Sequence, residues 1–434
     1  PAMRARPSAA AFFCLAALAA LAPPAPAAGR EGARLGFELV AGKPPKLDGL
    51  LKDWPARPAP LGPGVRVALA YDDDALYAAF DVSDDRLART PGAGPDDDHA
   101  SLSLAFPEVG APGRYAAVEL SLFPGEPGNL AGVVKDARGA EVAGSRLVEA
   151  PRRGGYTFEA KLPWRSLAPA ARVRCGLRAL VRYHDGDGGR AKLAAASGPE
   201  GAPADWPRLE TESERAFEGA FAREKKLRSP PQIDLVADVA GDALAERVLL
   251  WGRYLLVAGP RFRDGRQFYF NDLGEGAKPG ALEVLDLTGD GKAEFVVRKR
   301  VERGDRWSEL VQVLSFSGDA VATLFEHEVV AGAPAGEVSN EARFASEPGG
   351  GRVEIGQPKA RGLTAASFGG LPDPATGVLV PWGPARARTF RWQDGKFVKI
   401  SEDRGPAGSS GAAARAEPAA PPPGPSERGA PRPS

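Results

Sequence analysis

Residues 65–85 read VRVALAYDDDALYAAFDVSDD, and this stretch decides the fold of the first half of the chain. Every second residue from Val65 to Leu69 is a large aliphatic one, which is the period-two pattern of a half-buried strand. Three aspartates at 72–74 form a tight turn, because short carboxylates cap their own backbone there. The apolar residues of 76–82 supply a second strand. The stretch therefore predicts a β-hairpin.

Three further motifs in the same half share its character. They are LDGLLKDW at 47–54, YTFEAKLPW at 156–164 and GLRALVRYHDGDGG at 176–189. Taken in sequence order with the hairpin, which lies between the first and the second of them, these motifs resemble the family 9 carbohydrate-binding modules and related DOMON-like proteins. The resemblance implies a jelly-roll-like β-sandwich over residues 36–210 and a role in binding sugars. Many short strands separated by Gly, Pro and Asp are consistent with such a sandwich.

Sugar binding requires an aromatic platform flanked by polar side chains. Trp54 and Trp164 occupy motif positions that are core positions in the family, so we expect both to be buried. The remaining candidates for a platform are Trp206, Tyr115 and Tyr183. The strand positions of the two tyrosines also allow burial, so a sandwich without a working sugar site is the alternative.

The second half of the chain contains an internal repeat. The segment DVAGDALAE at 238–246 aligns with DLTGDGKAE at 286–294, and apolar strand residues follow each copy. The second copy resembles the FG-GAP and VCBS repeats of β-propellers. Residues 232–400 hold too few residues for a full propeller, so we expect an irregular or partial propeller-like β domain. The predicted fold class is thus all-β throughout.

The second copy of the repeat is also a candidate calcium loop. Carboxylates stand at its first, fifth and ninth positions. The third position offers a hydroxyl group and the seventh a backbone carbonyl. Oxygen-rich loops of this kind suit Ca²⁺. The candidate ligands are Asp286, Thr288, Asp290, Lys292 and Glu294. The alternative is a tight turn whose aspartates cap their own backbone, without metal.

The remaining segments predict a secreted or periplasmic protein. Residues 1–28 combine a basic start, an apolar run and small residues, as signal peptides do. After cleavage no apolar segment is long enough to span a membrane. Residues 211–231 predict a helical linker that ends at Pro230. Residues 401–434 are rich in Pro, Ala and Gly and predict a disordered tail.

Several classes of function find no support in the sequence. Lys and Arg together number 56, as do Asp and Glu, so no net positive charge favours nucleic acid. The mature chain lacks Met and any C-x-x-C-H motif, so haem is not expected. No hydrolase or nucleotide-binding motif is present. We therefore expect a non-catalytic binding protein for a cell-wall or plant polysaccharide. The alternatives are a structural or protein-interaction role in the envelope, and a glycoside-active enzyme with an unrecognised carboxylate pair.

Overall fold

The computed structural model describes residues 34–40, 42–126, 128–187, 189–259, 268–318, 320–369 and 372–405. The predicted signal peptide and the predicted tail from residue 406 onward lie outside these ranges. Nearly all regular structure in the described part is β, which confirms the predicted fold class. No helix among the described residues combines the length and apolar character that crossing a membrane requires.

The described residues of the first half form twelve strands and four short 3₁₀ helices. The strands are β1 (Arg34–Leu39), β2 (Ala59–Gly62), β3 (Val65–Tyr71), β4 (Ala75–Val82), β5 (His99–Pro107), β6 (Tyr115–Phe123), β7 (Val133–Asp136), β8 (Arg146–Arg152), β9 (Gly155–Pro163), β10 (Arg178–Asp185), β11 (Lys192–Ala196) and β12 (Arg208–Glu210). The 3₁₀ helices are Leu51–Asp53, Trp164–Ser166, Ala168–Ala171 and Pro203–Asp205.

These strands form two sheets that share strand β1. The first sheet has the order β7-β6-β5-β10-β12, with β11 beside β10; the second has the order β1-β3-β4-β9-β8, with β2 beside β3. The start of β1 pairs in parallel with β12, and its end, from Phe37, pairs in parallel with β3. Because β1 belongs to both, the two sheets form a nearly closed wall.

One buried cluster fills the space between the sheets. Leu69 and Phe80 reach it from the second sheet, and Leu104 and Val181 reach it from the first. Burial of each such side chain stabilises the fold by about 1.5–3 kcal/mol. Two inner faces that interdigitate in this way are the core of a β-sandwich.

The opening hairpin forms as predicted, with one difference. Strands β3 and β4 pair antiparallel, and the Asp72 carboxylate caps the turn by accepting the N–H groups of Asp74 and Ala75, both at 2.8 Å. The difference is that Ala68 and Ala70, which alternation assigns to solvent, are also buried. They are covered by Trp54, because the segment before the hairpin lies across the outer face of the second sheet.

A helix, α1 (Glu212–Glu224), lies within the segment for which a helical linker is predicted. Thr211 begins it with a capping box, in which Thr211 and Glu214 each accept the other's backbone N–H group. Phe221 and the partly buried Phe217 pack against the sheet that follows. The helix is therefore a packed element between the two halves.

The second half consists of two antiparallel meanders and a short helix. The four-stranded sheet contains β13 (Ile233–Ala237), β14 (Glu246–Trp251), β15 (Tyr254–Ala258) and β16 (Phe268–Asp272). The eight-stranded sheet contains β17 (Ala277–Leu285), β18 (Glu294–Arg303), β19 (Arg306–Phe316), β20 (Val321–Ala333), β21 (Gly336–Ala345), β22 (Arg352–Arg361), β23 (Ala385–Gln393) and β24 (Lys396–Arg404). The short helix α2 (Ala365–Phe368) precedes β23.

The second half differs in detail from a set of propeller blades. The four-stranded sheet has the size of one blade. The next eight strands do not divide into two further blades, since each pairs with its successor without a break. The last strand also continues to Arg404, four residues beyond the predicted end of the domain.

The two copies of the repeat have the same local structure. In both, the first aspartate accepts the backbone N–H groups three and five residues later, at 2.7 Å and 3.0–3.1 Å. The closing glutamate accepts those of the second and third positions, at 2.8–3.2 Å. The copies also touch, because the N–H of Ala293 donates to the carbonyl of Asp238 at 2.8 Å. The repeat is therefore structural as well as sequential.

An ion-pair network centred on the buried Arg247 joins the two halves. The guanidinium of Arg247, which is 1% exposed, donates to both carboxylate oxygens of Asp234, at 2.8 and 2.7 Å, and also to Glu218 of α1. Glu218 in turn accepts from Arg208 of β12 at 3.3 Å. Through these contacts the sandwich, the helix and the four-stranded sheet are held as one packed unit.

Candidate functional site

Two of the predicted sugar-binding residues lie together at one end of the first sheet. Arg178 donates to the hydroxyl of Tyr115 at 3.0 Å and to the backbone carbonyl of Trp206 at 2.8 Å. The Trp206 ring is 6% exposed and packs on Ala105 and Leu180. The indole of Trp206 thus packs the chain after β11 against the sheet. Of these two residues, only the half-buried Tyr115 offers a ring edge to solvent.

The third predicted residue, Tyr183, points the other way. It shares the inward parity of Ala179 and Val181 on β10 and is 1% exposed. Its hydroxyl pairs with that of Tyr156, and burial raises the pKa of the Tyr183 hydroxyl well above its ordinary value. The ring is not available to a ligand, because strand parity places it in the sandwich core.

The outward positions of β5, β6 and β10 carry a polar strip, which the sequence reasoning did not identify. Its five residues are Ser101, Glu119, Ser121, Arg182 and His184. Strand register places Ser101 of β5 directly between Ser121 of β6 and Arg182 of β10. Glu119 lies two residues before Ser121 on β6, and His184 lies two residues after Arg182 on β10. All five are exposed or partly exposed. The signal for them is the alternation of β5 and β6, in which every second residue is apolar and faces the core.

Arg182 is the charged centre of the strip. Its guanidinium donates to Glu200 at 2.6 Å and reaches the hydroxyl of Ser103 at 3.5 Å. Its Nε is buried and has no hydrogen-bond partner among the described residues. The carboxylate that it pairs with is 78% exposed, so this ion pair is easily exchanged for other acceptors.

A stacked pair of imidazoles closes one end of the strip. The rings of His99 and His184 lie 4.5 Å apart and almost parallel, and Phe123 lies 5.0 Å beyond His99. Burial lowers the pKa of His99, and burial together with His99 lowers the pKa of His184 to about 4. Both rings are therefore neutral at pH 7, and His184 adds a partly exposed, uncharged planar group to the strip.

The outer face of the second sheet is closed, in contrast. The buried carboxylate of Glu159 accepts the N–H groups of Asp48 at 2.9 Å and Gly49 at 2.6 Å, and also the indole N–H of Trp54. Gly49 has a φ of +77°, and an added Cβ there would lie 2.5 Å from that of Ala150. The LDGLLKDW motif thus covers this outer face of the second sheet. The outer face of the first sheet is the one that stays open to solvent.

Three carboxylates meet at the end of the sandwich beside the imidazole pair. Asp84, Asp98 and Asp185 each place an oxygen within 4.8 Å of the others. Asp98 is fully buried, accepts the N–H groups of Ala88 and Gly186, and has its pKa raised by burial to about 6. Burial also raises the pKa of Asp84, whose Oδ2 has no partner among the described residues. Such an all-oxygen set suits hard cations.

The predicted calcium loop has a different arrangement. Its Asp286 and Glu294 carboxylates accept backbone N–H groups, as described for the repeat, and Asp290 accepts that of Lys292 at 2.9 Å. Glu294 is 1% exposed. The hydroxyl of Thr288 lies 3.3 Å from Glu294. In the described part of the chain, carboxylate triples with oxygens within 4.8 Å occur near Asp84 and not in this loop. Calcium at the loop stays a prediction.

Comparison with known proteins finds solved structures of carbohydrate-binding modules. Neither a protein-family model nor a curated protein matches this chain. A family 9 carbohydrate-binding module from Caldicellulosiruptor kristjanssonii in complex with cellotriose is 16% identical, with 42% of this chain and 96% of that chain covered and a TM-score of 0.30. The same kind of module in complex with glucose is 14% identical, with 41% and 95% covered and a TM-score of 0.30. Similarity of this degree does not identify a ligand for this chain.

Proposed function

We propose that this protein binds a glycan without cleaving it, and that the polar strip on the first sheet is the binding surface. The observation that carries the proposal is the contrast between the two outer faces. The second sheet is covered by the segment that Glu159 anchors, whereas the strip keeps its polar side chains in reach of solvent. Hydroxyl, carboxylate, guanidinium and imidazole groups side by side suit the many hydroxyl groups of a saccharide.

The side chains of the strip offer a ligand both hydrogen-bond donors and hydrogen-bond acceptors. Arg182 is a pure donor, Glu119 a pure acceptor, and the serine hydroxyls serve as either. Neutral His184 adds a planar ring, and Tyr115 stands at the far end beside Arg178. Sugar rings stack on such planar groups through their C–H faces.

Cleavage of glycosides gains no support from the arrangement of acids. Among the described residues, Asp84, Asp98 and Asp185 form one group of carboxylates with oxygens within 4.8 Å of one another, and Asp98 is completely buried. A general acid must reach the glycosidic oxygen within hydrogen-bond distance. A non-catalytic role is therefore the better proposal. We place the protein outside the cytoplasm, secreted or periplasmic, on the basis of the signal-like residues 1–28.

The test is direct titration of the full chain with a panel of neutral cell-wall and plant oligosaccharides, followed by calorimetry. We expect Arg182→Ala to weaken binding about tenfold and Glu119→Gln about threefold, since each removes one or two hydrogen bonds to the ligand. Arg146→Ala, on the edge strand of the second sheet, removes the same charge elsewhere and should leave binding unchanged.

The result of this titration also distinguishes glycan binding from the alternative roles. Absence of binding to every saccharide at millimolar concentration removes the proposal and leaves the structural or interaction role in the envelope. That role predicts instead a protein partner whose capture depends on Arg182 but is indifferent to added sugar.

A further inference from the structure

A groove of about 580 Å³ lies in the second half of the chain, remote in sequence from the polar strip. The end of α1, the β14–β15 turn and the start of β17 form its walls. Three cations of the described part of the chain line it: Lys225, Arg253 and Lys278. A volume of this size is within the range of small-ligand sites and holds one or two sugar rings.

Each cation in the groove is paired with a carboxylate that faces solvent. Lys225 lies 2.8 Å from Glu224, Arg253 lies 2.7 Å from Asp272, and Lys278 lies 2.7 Å from Glu302. These carboxylates are 70%, 38% and 44% exposed. Exposed pairs of this kind add little to stability and exchange readily with ligand groups. The Nε of Arg253 additionally lacks a hydrogen-bond partner among the described residues.

Aromatic rings stand directly beside the cations. Lys225 lies 4.8 Å from the ring centroid of Phe270 and 5.6 Å from that of Tyr254, while Arg253 lies 5.4 Å from the latter. Tyr254 lines the groove, and Phe270, which is 39% exposed, lies beside that lining. The two rings lie 6.0 Å apart, nearly at right angles. Apolar ring faces next to positive charges favour a ligand that is both flat-faced and anionic.

We propose that this groove binds a uronic acid-bearing saccharide, with the ring of the sugar on Tyr254 and its carboxylate at Arg253 and Lys278. The acidic partners Glu224, Asp272 and Glu302 suit the hydroxyl groups of the same ring. The site is separate from the polar strip and does not depend on it.

The test is calorimetric titration of the full chain with trigalacturonate and, as a matched ligand without charge, its methyl ester. We expect the acid to bind at least tenfold more tightly than the ester. Arg253→Gln and Lys278→Gln should each weaken binding of the acid about fivefold and leave the ester unchanged. Tyr254→Ala should weaken both ligands about fivefold. Lys192→Gln, on exposed β11, is the control for loss of one charge, and thermal melting confirms that each variant is folded.

Each contrary result overturns the inference. Equal affinity for acid and ester removes the role of the cations, and absence of binding removes the site. Displacement of trigalacturonate by an equal concentration of a single-stranded oligonucleotide identifies a general polyanion site instead. Loss of binding in Arg182→Ala but not in the groove variants assigns the ligand to the polar strip, which keeps the proposed function and refutes the groove.

Discussion

The carboxylate of Glu159, on the middle of β9, accepts the indole N–H of Trp54, and this contact holds the segment before the first hairpin across the second sheet. The same carboxylate accepts the N–H groups of Asp48 and Gly49. Two motifs that are about a hundred residues apart in sequence therefore meet at one buried group.

Removal of this carboxylate should strongly destabilise the sandwich. Glu159→Ala leaves three donors without this acceptor, two of them buried, and we expect a loss of about 3 kcal/mol in the free energy of unfolding. Urea denaturation followed by tryptophan fluorescence measures it. Exposed Glu141→Ala is the control and should cost less than about 0.5 kcal/mol. A similar small loss in both variants contradicts the anchoring role.

The ion pair between Arg247 and Asp234 leads to a second prediction, on the junction between the two halves. Arg247→Ala leaves Asp234 and Glu218 without their main partner, and we expect a loss of about 3–5 kcal/mol. Arg247→Lys keeps the charge but not the two parallel hydrogen bonds, so a smaller loss is expected. Chemical denaturation measures both, with the exposed Arg153→Ala as control. Equal losses for Lys and Ala show that charge contributes nothing there.

The buried Asp98 leads to a prediction about pH. Burial raises its pKa to about 6 in the folded protein, against about 3.9 in the unfolded chain. Between these values the folded protein binds a proton that the unfolded chain releases, so this group makes the protein more stable as pH falls from 7 to 4. The lowered pKa of His184 acts in the opposite direction over the same window, because the unfolded chain takes up that proton first.

A comparison of the free energy of unfolding of the wild type with that of Asp98→Asn isolates the contribution of Asp98. The free energy of unfolding of the wild type minus that of Asp98→Asn should increase as pH falls from about 7 to 4, since both proteins retain His184. Urea denaturation at several pH values gives this difference. A difference that is constant with pH shows that Asp98 titrates alike in the folded and unfolded states.

The calcium prediction for the second copy of the repeat is tested by thermal melting in excess Ca²⁺ and in EDTA. A higher melting temperature in Ca²⁺ is expected, and Asp290→Ala should abolish the difference. Asp242→Ala, at the same position of the first copy, is the matched control. Identical melting in Ca²⁺ and EDTA would falsify the prediction. A shift that survives Asp290→Ala but not Asp98→Asn assigns the ion to the carboxylates around Asp84 instead.

The residues at the strip and at the carboxylate triple illustrate why a site is harder to predict than a fold. Asp84 follows β4, Asp98 precedes β5 and Asp185 ends β10. Because β4 belongs to the second sheet and the other two strands to the first, only the packing of the two sheets brings these carboxylates together. Tyr183 and Arg182 are neighbours in sequence, yet one is buried in the core and the other lies in the strip. The choice between them depends on which face the second sheet covers.

The sequence by itself determined the elements that rely on local patterns. Alternation and the aspartate turn specified the hairpin of β3 and β4. The two copies of the repeat specified two equal turns, because neighbouring residues supply the hydrogen bonds that cap each turn. Only the tertiary structure decided which face is open, which aromatic rings are buried and how the last eight strands continue as one sheet. These features arise from contacts between distant residues, such as Glu159 with Trp54, which local patterns do not contain.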